Sequence, residues 1–297
     1  MKYVLYNPKS DNSAGAQNAR ELLEKYPADK YVFMDITTLS DEKIFELLAK
    51  DDGDVILTGG DGTLNRFANT LGGNIPDKNI YFYPAGSGND FMNDIRGKKK
   101  ELVLLNKYLR DLPVINVNGE NMRFINGVGY GIDGFSCEEV DKKKKATGKK
   151  GSYVLEALKG FCRTYSPGKA RVTVDGETHE FEDVWMVSVM NGRYFGGGVM
   201  IAPMQERLNE ERTVSIIVVT AKSRVKVLCA FPSIFKGKHL KYTELVIPFT
   251  AKEVSVEVDR PSPLQIDGDV LSGVTSYCVS TAHLTSNTKE PTVTETV

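Results

Sequence analysis

A chain of 297 residues with 41% apolar and 26% charged residues has the balance of a globular protein with a sizeable core, and its length allows two domains. A formal net charge of -1 argues against a surface built throughout for nucleic acid, so an anionic partner would have to be met by a local patch. Four widely separated cysteines without a CxxC pair point to a reduced, cytoplasmic chain, and no apolar run approaches the roughly 20 residues that span a bilayer.

The first third alternates short apolar runs with helical patterns, at 3–6, 14–26, 31–34, 40–50, 55–57 and 64–71, followed by a strand at 81–83. That rhythm predicts a parallel sheet with crossover helices. Ser40 is placed to cap one helix, with Asp41 and Glu42 in its positive first turn and Ile44, Leu47 and Leu48 on one face. After about residue 112 the pattern changes to a hairpin over 114–125, turning at Asn118-Gly119. Strands are then predicted at 171–174, 184–190, 214–219 and 254–258, with helical candidates at 152–162 and 224–231. The expected organisation is an α/β domain over 1–112, a β-rich domain over 113–284 and a disordered tail over 285–297.

Three loops stand at successive strand ends. In ILTGGDGTLN, Gly59, Gly60 and Gly62 let the backbone approach a ligand, and the following helix offers its first amides, read as starting near Leu64, to an anion. Asp61 beside a phosphate is repulsive unless a cation lies between, so Mg²⁺ bridging Asp61 to a nucleotide phosphate is the simplest resolution. The P-loop lysine is missing, and Lys9 in NPKSDNSAG is the substitute cation, with Asn7, Ser10 and Ser13 beside it. The third loop, PAGSGND, carries Gly86, Ser87, Gly88, Asn89 and Asp90. Lysines at 98–100 read first as a solvated loop, and those at 142–145 with 149 and 150 as either a solvated loop or a lipid-headgroup footprint. His179, His239 and His283 are isolated and read as structural or exposed, and Trp185 as core.

Taken in order, NPKSDNSAG, GGDGTLN, PAGSGNDF, NGVGYGIDG, NGRYFGGGVMIAP and QIDGDVL resemble the bacterial branch of the diacylglycerol kinase catalytic-domain family, over about residues 1 to 284. The resemblance implies a nucleotide-binding domain like that of NAD kinase, a β-sandwich domain, an active site in the cleft between them, and a segment after about residue 275 returning to the first domain. It implies transfer of the γ-phosphoryl group of ATP, with Mg²⁺, to a lipid hydroxyl, most simply that of diacylglycerol. A soluble-substrate kinase like NAD kinase and an inactive nucleotide-binding homologue are the alternatives.

Carried over by residue, Gly59, Gly60, Asp61, Gly62, Thr63 and Asn65 would hold the phosphates. Asn7, Lys9, Thr37, Gly86, Ser87, Asn89 and Asp90 would line the nucleotide, with Thr38 replacing Thr37 under a one-residue shift. Asp269 stands where the family has its general-base glutamate, with Asp267 the nearest alternative carboxylate. A structural Mg²⁺ would take Glu211 and the carbonyls of Leu208 and Thr213, although Glu211 and Arg212 replace the aspartate and glycine of the family. Arg66 stands where many members have glutamate. The partner implied is a lipid substrate at the membrane surface; separately, the lysine run offers a peripheral contact with an anionic membrane through Lys142, Lys143, Lys144, Lys145, Lys149 and Lys150, while a homodimer stays open.

Overall fold

A computed structural model describes residues 2–26, 30–50, 53–86, 89–97, 101–147, 152–160, 162 and 165–282. Ser87, Gly88, the lysines at 98–100, Lys149, Lys150, His283 and the tail over 285–297 lie outside the described residues.

The first domain runs β1 (Lys2–Tyr6), α1 (Ser10–Ser13), α2 (Gly15–Lys25), β2 (Tyr31–Asp35), α3 (Asp41–Ala49), β3 (Asp54–Gly59), α4 (Asp61–Leu71), β4 (Ile80–Pro84), α5 (Asp90–Asp94), β5 (Val103–Leu104) and α6 (Asn106–Leu109). The sheet order is β2-β1-β3-β4-β5, parallel except for the antiparallel edge strand β5. Successive strand residues serve opposite faces, and both are covered. Leu5, Leu57 and Phe82 pack with Ile44 and Leu47 of α3 and Leu64, Phe67 and Leu71 of α4. Val4, Ile56 and Tyr83 pack with Ala19 and Leu22 of α2. Ser40 caps α3 by accepting from the amide of Lys43 at 3.3 Å. Helix α4 starts at Asp61 and not at Leu64, because Gly60 is extended and its carbonyl already accepts from the amides of Thr63 and Leu64.

The second domain comprises β6 (Val114–Val117), β7 (Glu120–Arg123), β8 (Gly127–Gly131), α7 (Ile132–Thr147), α8 (Tyr153–Lys159), β9 (Gly168–Val174), β10 (Glu177–Met190), β11 (Tyr194–Phe195), β12 (Val199–Met200), β13 (Val214–Thr220), α9 (Arg224–Ala230), β14 (Val246–Ala251), β15 (Glu253–Ile266) and β16 (Asp269–Ser280). Its main sheet orders β14-β13-β10-β8-β15-β16-β6-β7. The two long strands β10 and β15 each pair with β9 through their first halves and with β8 through their second halves. Register shifts between Phe181 and Val184 and between Glu257 and Leu264 let the sheet fold over its own core, which contains Val128, Val187, Val256 and Leu264. Helices α7 and α9 pack with Trp185, which is core as read, on the outer face.

Three expectations change. Lys142, Lys143, Lys144 and Lys145 are helical, at the end of α7, where the negative end of the helix dipole favours cations. Residues 275–280 run within β16, paired to β15 and β6, so no return to the first domain occurs among the described residues. Strand β16 itself lies beyond the predicted strands. Among the described residues no helix is long and apolar enough to cross a membrane.

Candidate active site

The carboxyl ends of β1, β3 and β4 are tied together. The amide of Asn7 donates to the carbonyl of Thr58 at 3.2 Å, and Ala85 donates to Gly59 at 2.8 Å. Asn7 Nδ2 donates to Thr63 Oγ1 at 3.0 Å, so the loop after β1 is fastened to the first turn of α4. Gly59 is required by this packing, since a Cβ there would lie 2.6 Å from the Thr63 side chain. Gly62 has no such reason: among the described residues nothing outside its own helix lies within 4 Å of where its Cβ would stand. That clearance, at the start of a helix to which the loop carrying exposed Lys9 is fastened through Asn7, is what an approaching phosphate needs. Thr37 and Thr38 are engaged locally, their hydroxyls donating to Asp35 Oδ1 at 2.7 Å and to the Asp35 carbonyl at 2.9 Å. The Gly86 carbonyl accepts from Asn89 Nδ2 at 3.1 Å.

Asp61 joins two helix starts. From the first residue of α4 its carboxylate accepts from the amides of Asp90 at 2.9 Å and Phe91 at 3.1 Å, at the start of α5. Burial, and then the neighbouring Asp90 carboxylate, push the Asp61 carboxyl up to about 6. Asp90 is itself buried, accepts from the amide of Gly197 at 2.8 Å, and lies above the usual carboxylate range mainly through burial. Its Oδ1 is buried with no hydrogen-bond partner among the described residues. Two repelling carboxylates and an orphaned oxygen suit a divalent cation completed by substrate phosphates and water. No third carboxylate, cysteine or histidine gathers with them, as no protein-only metal cluster occurs among the described residues.

The second domain closes over this end through side chains the sequence did not reveal. Asp94 accepts from Arg193 Nε at 2.7 Å and from Arg207 Nε at 2.8 Å. Arg207 also donates to the Ile125 carbonyl and to Asn126 Oδ1. Asn65, expected among the phosphate ligands, is turned the other way: its Nδ2 donates to the Arg123 carbonyl at 3.0 Å and to Asp267 Oδ2 at 2.7 Å. Asn65 therefore holds the domains together.

The IDGD segment is the hairpin turn between β15 and β16, with left-handed φ of 48° at Asp267 and 94° at Gly268. Asp267 is fully engaged as an acceptor, from the amides of Ile125, Asn126 and Gly127 and from Asn65. It has no lone pair to spare for a substrate, which removes it as the alternative base. Asp269, one residue past the turn, faces solvent across from exposed Arg66 of α4. Partial loss of water holds its carboxyl above the usual range, Arg66 pulls it back, and Asp141 pushes it up.

The second metal site does not form. Glu211 points to Lys252 at 3.3 Å with its side chain 80% exposed. The Thr213 carbonyl accepts from Asn209 Nδ2 at 3.0 Å and from Gln205 Nε2 at 2.9 Å, leaving it no lone pair for a cation. Arg212 holds the left-handed conformation, φ 53°, that a glycine would take, and pairs with Asp111 at 2.7 Å. Glu211 and the Thr213 carbonyl, expected with the Leu208 carbonyl around a structural ion, are thus engaged by Lys252, Asn209 and Gln205 instead.

Comparison with known proteins gives the lineage. The diacylglycerol kinase catalytic domain matches residues 2–114, and the YegS C-terminal NAD kinase beta sandwich-like domain matches residues 126–282. The chain is 26% identical over 278 residues to YtlR of Bacillus subtilis (strain 168), provisionally named a lipid kinase, covering 87% of this chain and 84% of YtlR. It is 25% identical over 231 residues to a diacylglycerol kinase of Mycobacterium tuberculosis (strain ATCC 25618 / H37Rv), covering 75% of this chain and 72% of that one. A crystal structure described as a diacylglycerol kinase from Bacillus anthracis str. Sterne superposes with a TM-score of 0.65 at 21% identity, over 94% of this chain and 93% of that one, a likeness of fold. With both halves matched, one of them over more than half of the 297 residues, the chain belongs to the diacylglycerol kinase catalytic-domain family of lipid kinases.

Proposed function

We propose that this protein is an ATP- and Mg²⁺-dependent kinase that transfers the γ-phosphoryl group to the free hydroxyl of diacylglycerol, giving phosphatidic acid. The observation that carries this reading is the pair of bridges that join the glycine-rich end of the first sheet to the second domain, Asp90 to Gly197 in the loop between β11 and β12 and Asn65 to Asp267 in the IDGD hairpin. In it, the turn from Gly59 to Thr63 and the Lys9 ammonium receive the phosphates, and Asp61 with Asp90 would hold the divalent cation. That ion, when bound, neutralises charge on the transferring group. Asp269 takes the proton of the lipid hydroxyl as its oxygen bonds to the γ-phosphorus and the bond to ADP breaks. A carboxyl lying above its ordinary value is suited to accept that proton.

Incubation with labelled ATP, Mg²⁺ and a panel of dispersed lipids tests the proposal, with NAD as control acceptor. Labelled phosphatidic acid, lost in Asp269→Asn and Asp61→Ala with folding intact, is expected. NADP formation, or no labelled lipid from any member of the panel, would overturn it.

The lipid has to be reached at a membrane, and we assign the contact to the end of α7 and the outer side of α8. Lys144 and Lys145 are exposed there, as are Leu155 and Leu158. Lys142 is paired with Glu138 and Glu139, and Lys143 with Glu156, so the attraction rests on fewer charges than the run contains. Sedimentation with anionic and neutral vesicles at low salt checks this, and equal binding to both would remove the electrostatic account.

A further inference from the structure

Gln265 is a polar side chain in a run where Leu264, Gln265 and Ile266 are all buried. Its neighbours enter the main core of the second domain, so alternation along β15 sends Gln265 to the other face. There it meets Asp133, wholly buried at the start of α7. Gln265 Nε2 donates to Asp133 Oδ2 at 3.0 Å, and the Tyr153 hydroxyl donates to Asp133 Oδ1 at 2.8 Å. At its other end Gln265 Oε1 accepts from the amide of Gly268 at 2.8 Å. Hydrogen bonds therefore run from α8, through Asp133, to the turn immediately before Asp269.

Packing does not account for this trio. A buried carboxylate whose hydrogen-bond partners are neutral is disfavoured against an apolar replacement of the same size. The fold also has to clear space for it, because a Cβ on Gly129 would stand 1.4 Å from Asp133 Oδ2. Tyr153 extends the path toward the nucleotide side: its ring lies edge-on to Phe195 and occupies the space before Gly196, next to the Gly197 amide that binds Asp90.

We infer that Gln265 is a positioning residue for phosphoryl transfer, which, anchored on Asp133 and Tyr153, fixes the turn that sets where the Asp269 carboxylate stands. This rests on the reading of Asp269 as the base.

Gln265→Leu keeps the volume and removes both bonds. Its kcat for lipid phosphorylation is expected to fall about 100-fold, the effect of a misplacement near 1 Å, with KM for ATP unchanged. Hydrogen exchange at the turn amides should quicken while α4 stays protected. Gln265→Glu supplies a signature that a purely structural role would not. Two adjacent carboxyls share one proton, and the protonated glutamate donates to Asp133 and accepts from Gly268 as the glutamine does. Its activity relative to the wild type should be near normal at about pH 6 and fall as that proton is lost on raising the pH. Cys137 on α7, Tyr153 on α8 and Tyr277 on β16 face Asp133 and are held neutral by burial, while Asp90 faces Tyr153 from α5. Tyr153→Phe, which keeps the ring, should give a smaller loss of kcat in the same direction. Wild-type kcat in Gln265→Leu, with or without faster exchange, overturns the positioning role. A wild type without lipid turnover sinks the reading of Asp269 instead, and unchanged turn exchange in Gln265→Leu then refutes the anchoring separately.

Discussion

Two carboxylates separated by a single residue have opposite fates in the hairpin, and only the conformation of the turn decides which. Asp267 points inward onto three amides and Asn65, whereas Asp269 is exposed, within electrostatic reach of Arg66 on α4. Asp267→Ala strands those donors, each worth about 1–3 kcal/mol when buried, so its urea midpoint should drop by the equivalent of about 3 kcal/mol. Asp269→Asn should leave the midpoint unchanged while ending turnover. Asp61 carries a pH prediction. Burial and the Asp90 carboxylate push its carboxyl up to about 6 in the folded chain, from an ordinary value of 3.8. The folded state thus holds the proton more tightly, so this group adds stability below 3.8 and loses that contribution as pH rises through about 6. The cation needs the ionised form, so kcat/KM for ATP should fall as pH drops below about 6, with the carbon-13 midpoint of Asp61 moving down when MgATP is added. The sequence pointed to Asp61 through its glycine setting. It could not show that Asp61 also caps α5 or that Asn65 faces away from phosphate, because those partners lie 29 and 202 positions along the chain.

Elements were legible where apolar spacing was strong and bounded by caps. Helix α3, with Ser40 before it and Ile44, Leu47 and Leu48 buried, is such a case. Helix α7 is not: its sequence, IDGFSCEEVDKKKKAT, has few apolar residues, and only its first turns are buried, so tertiary contacts carry it. Strand β16 was hidden for a related reason, since most of its side chains are exposed and offer little alternation to read. The loop from Gln205 to Thr213 gives a test at this scale. Asn209 donates to the Glu206 and Thr213 carbonyls and accepts from the amide and hydroxyl of Thr213. Asn209→Ala should therefore cost about 2 kcal/mol. Addition of a chelator to the purified chain should leave Tm within about 1 °C, because Asn209 and Gln205 already close this loop through hydrogen bonds. Arg212→Gly relieves a left-handed residue, about 1 kcal/mol, and loses a half-exposed ion pair of about 0.2–1 kcal/mol, so its stability should be close to the wild type.

At the scale of the whole molecule, the two-domain plan follows from the shift in rhythm near residue 112, and both faces of the first sheet are covered as alternating strands and helices require. What holds the halves in register is instead a buried ionic clamp: the side chains of Asp94 and Arg207 are 4% and 5% exposed. Removing one partner of such a pair costs about 3–5 kcal/mol, so Asp94→Ala should lower the calorimetric Tm and split the single transition as the domains melt apart. The chain order of the second sheet bears on the newly made protein. Strand β8 sits between β10 and β15, both of which follow it in the chain, and the amides of Ile125, Asn126 and Gly127 find Asp267 only when residue 267 of 297 has been synthesised. The loops proposed to seat the nucleotide are complete within the first 94 residues. A ribosome-bound chain thus completes its proposed phosphate end early and its proposed acceptor end last, so a partial chain ending before residue 267 has the first without the second.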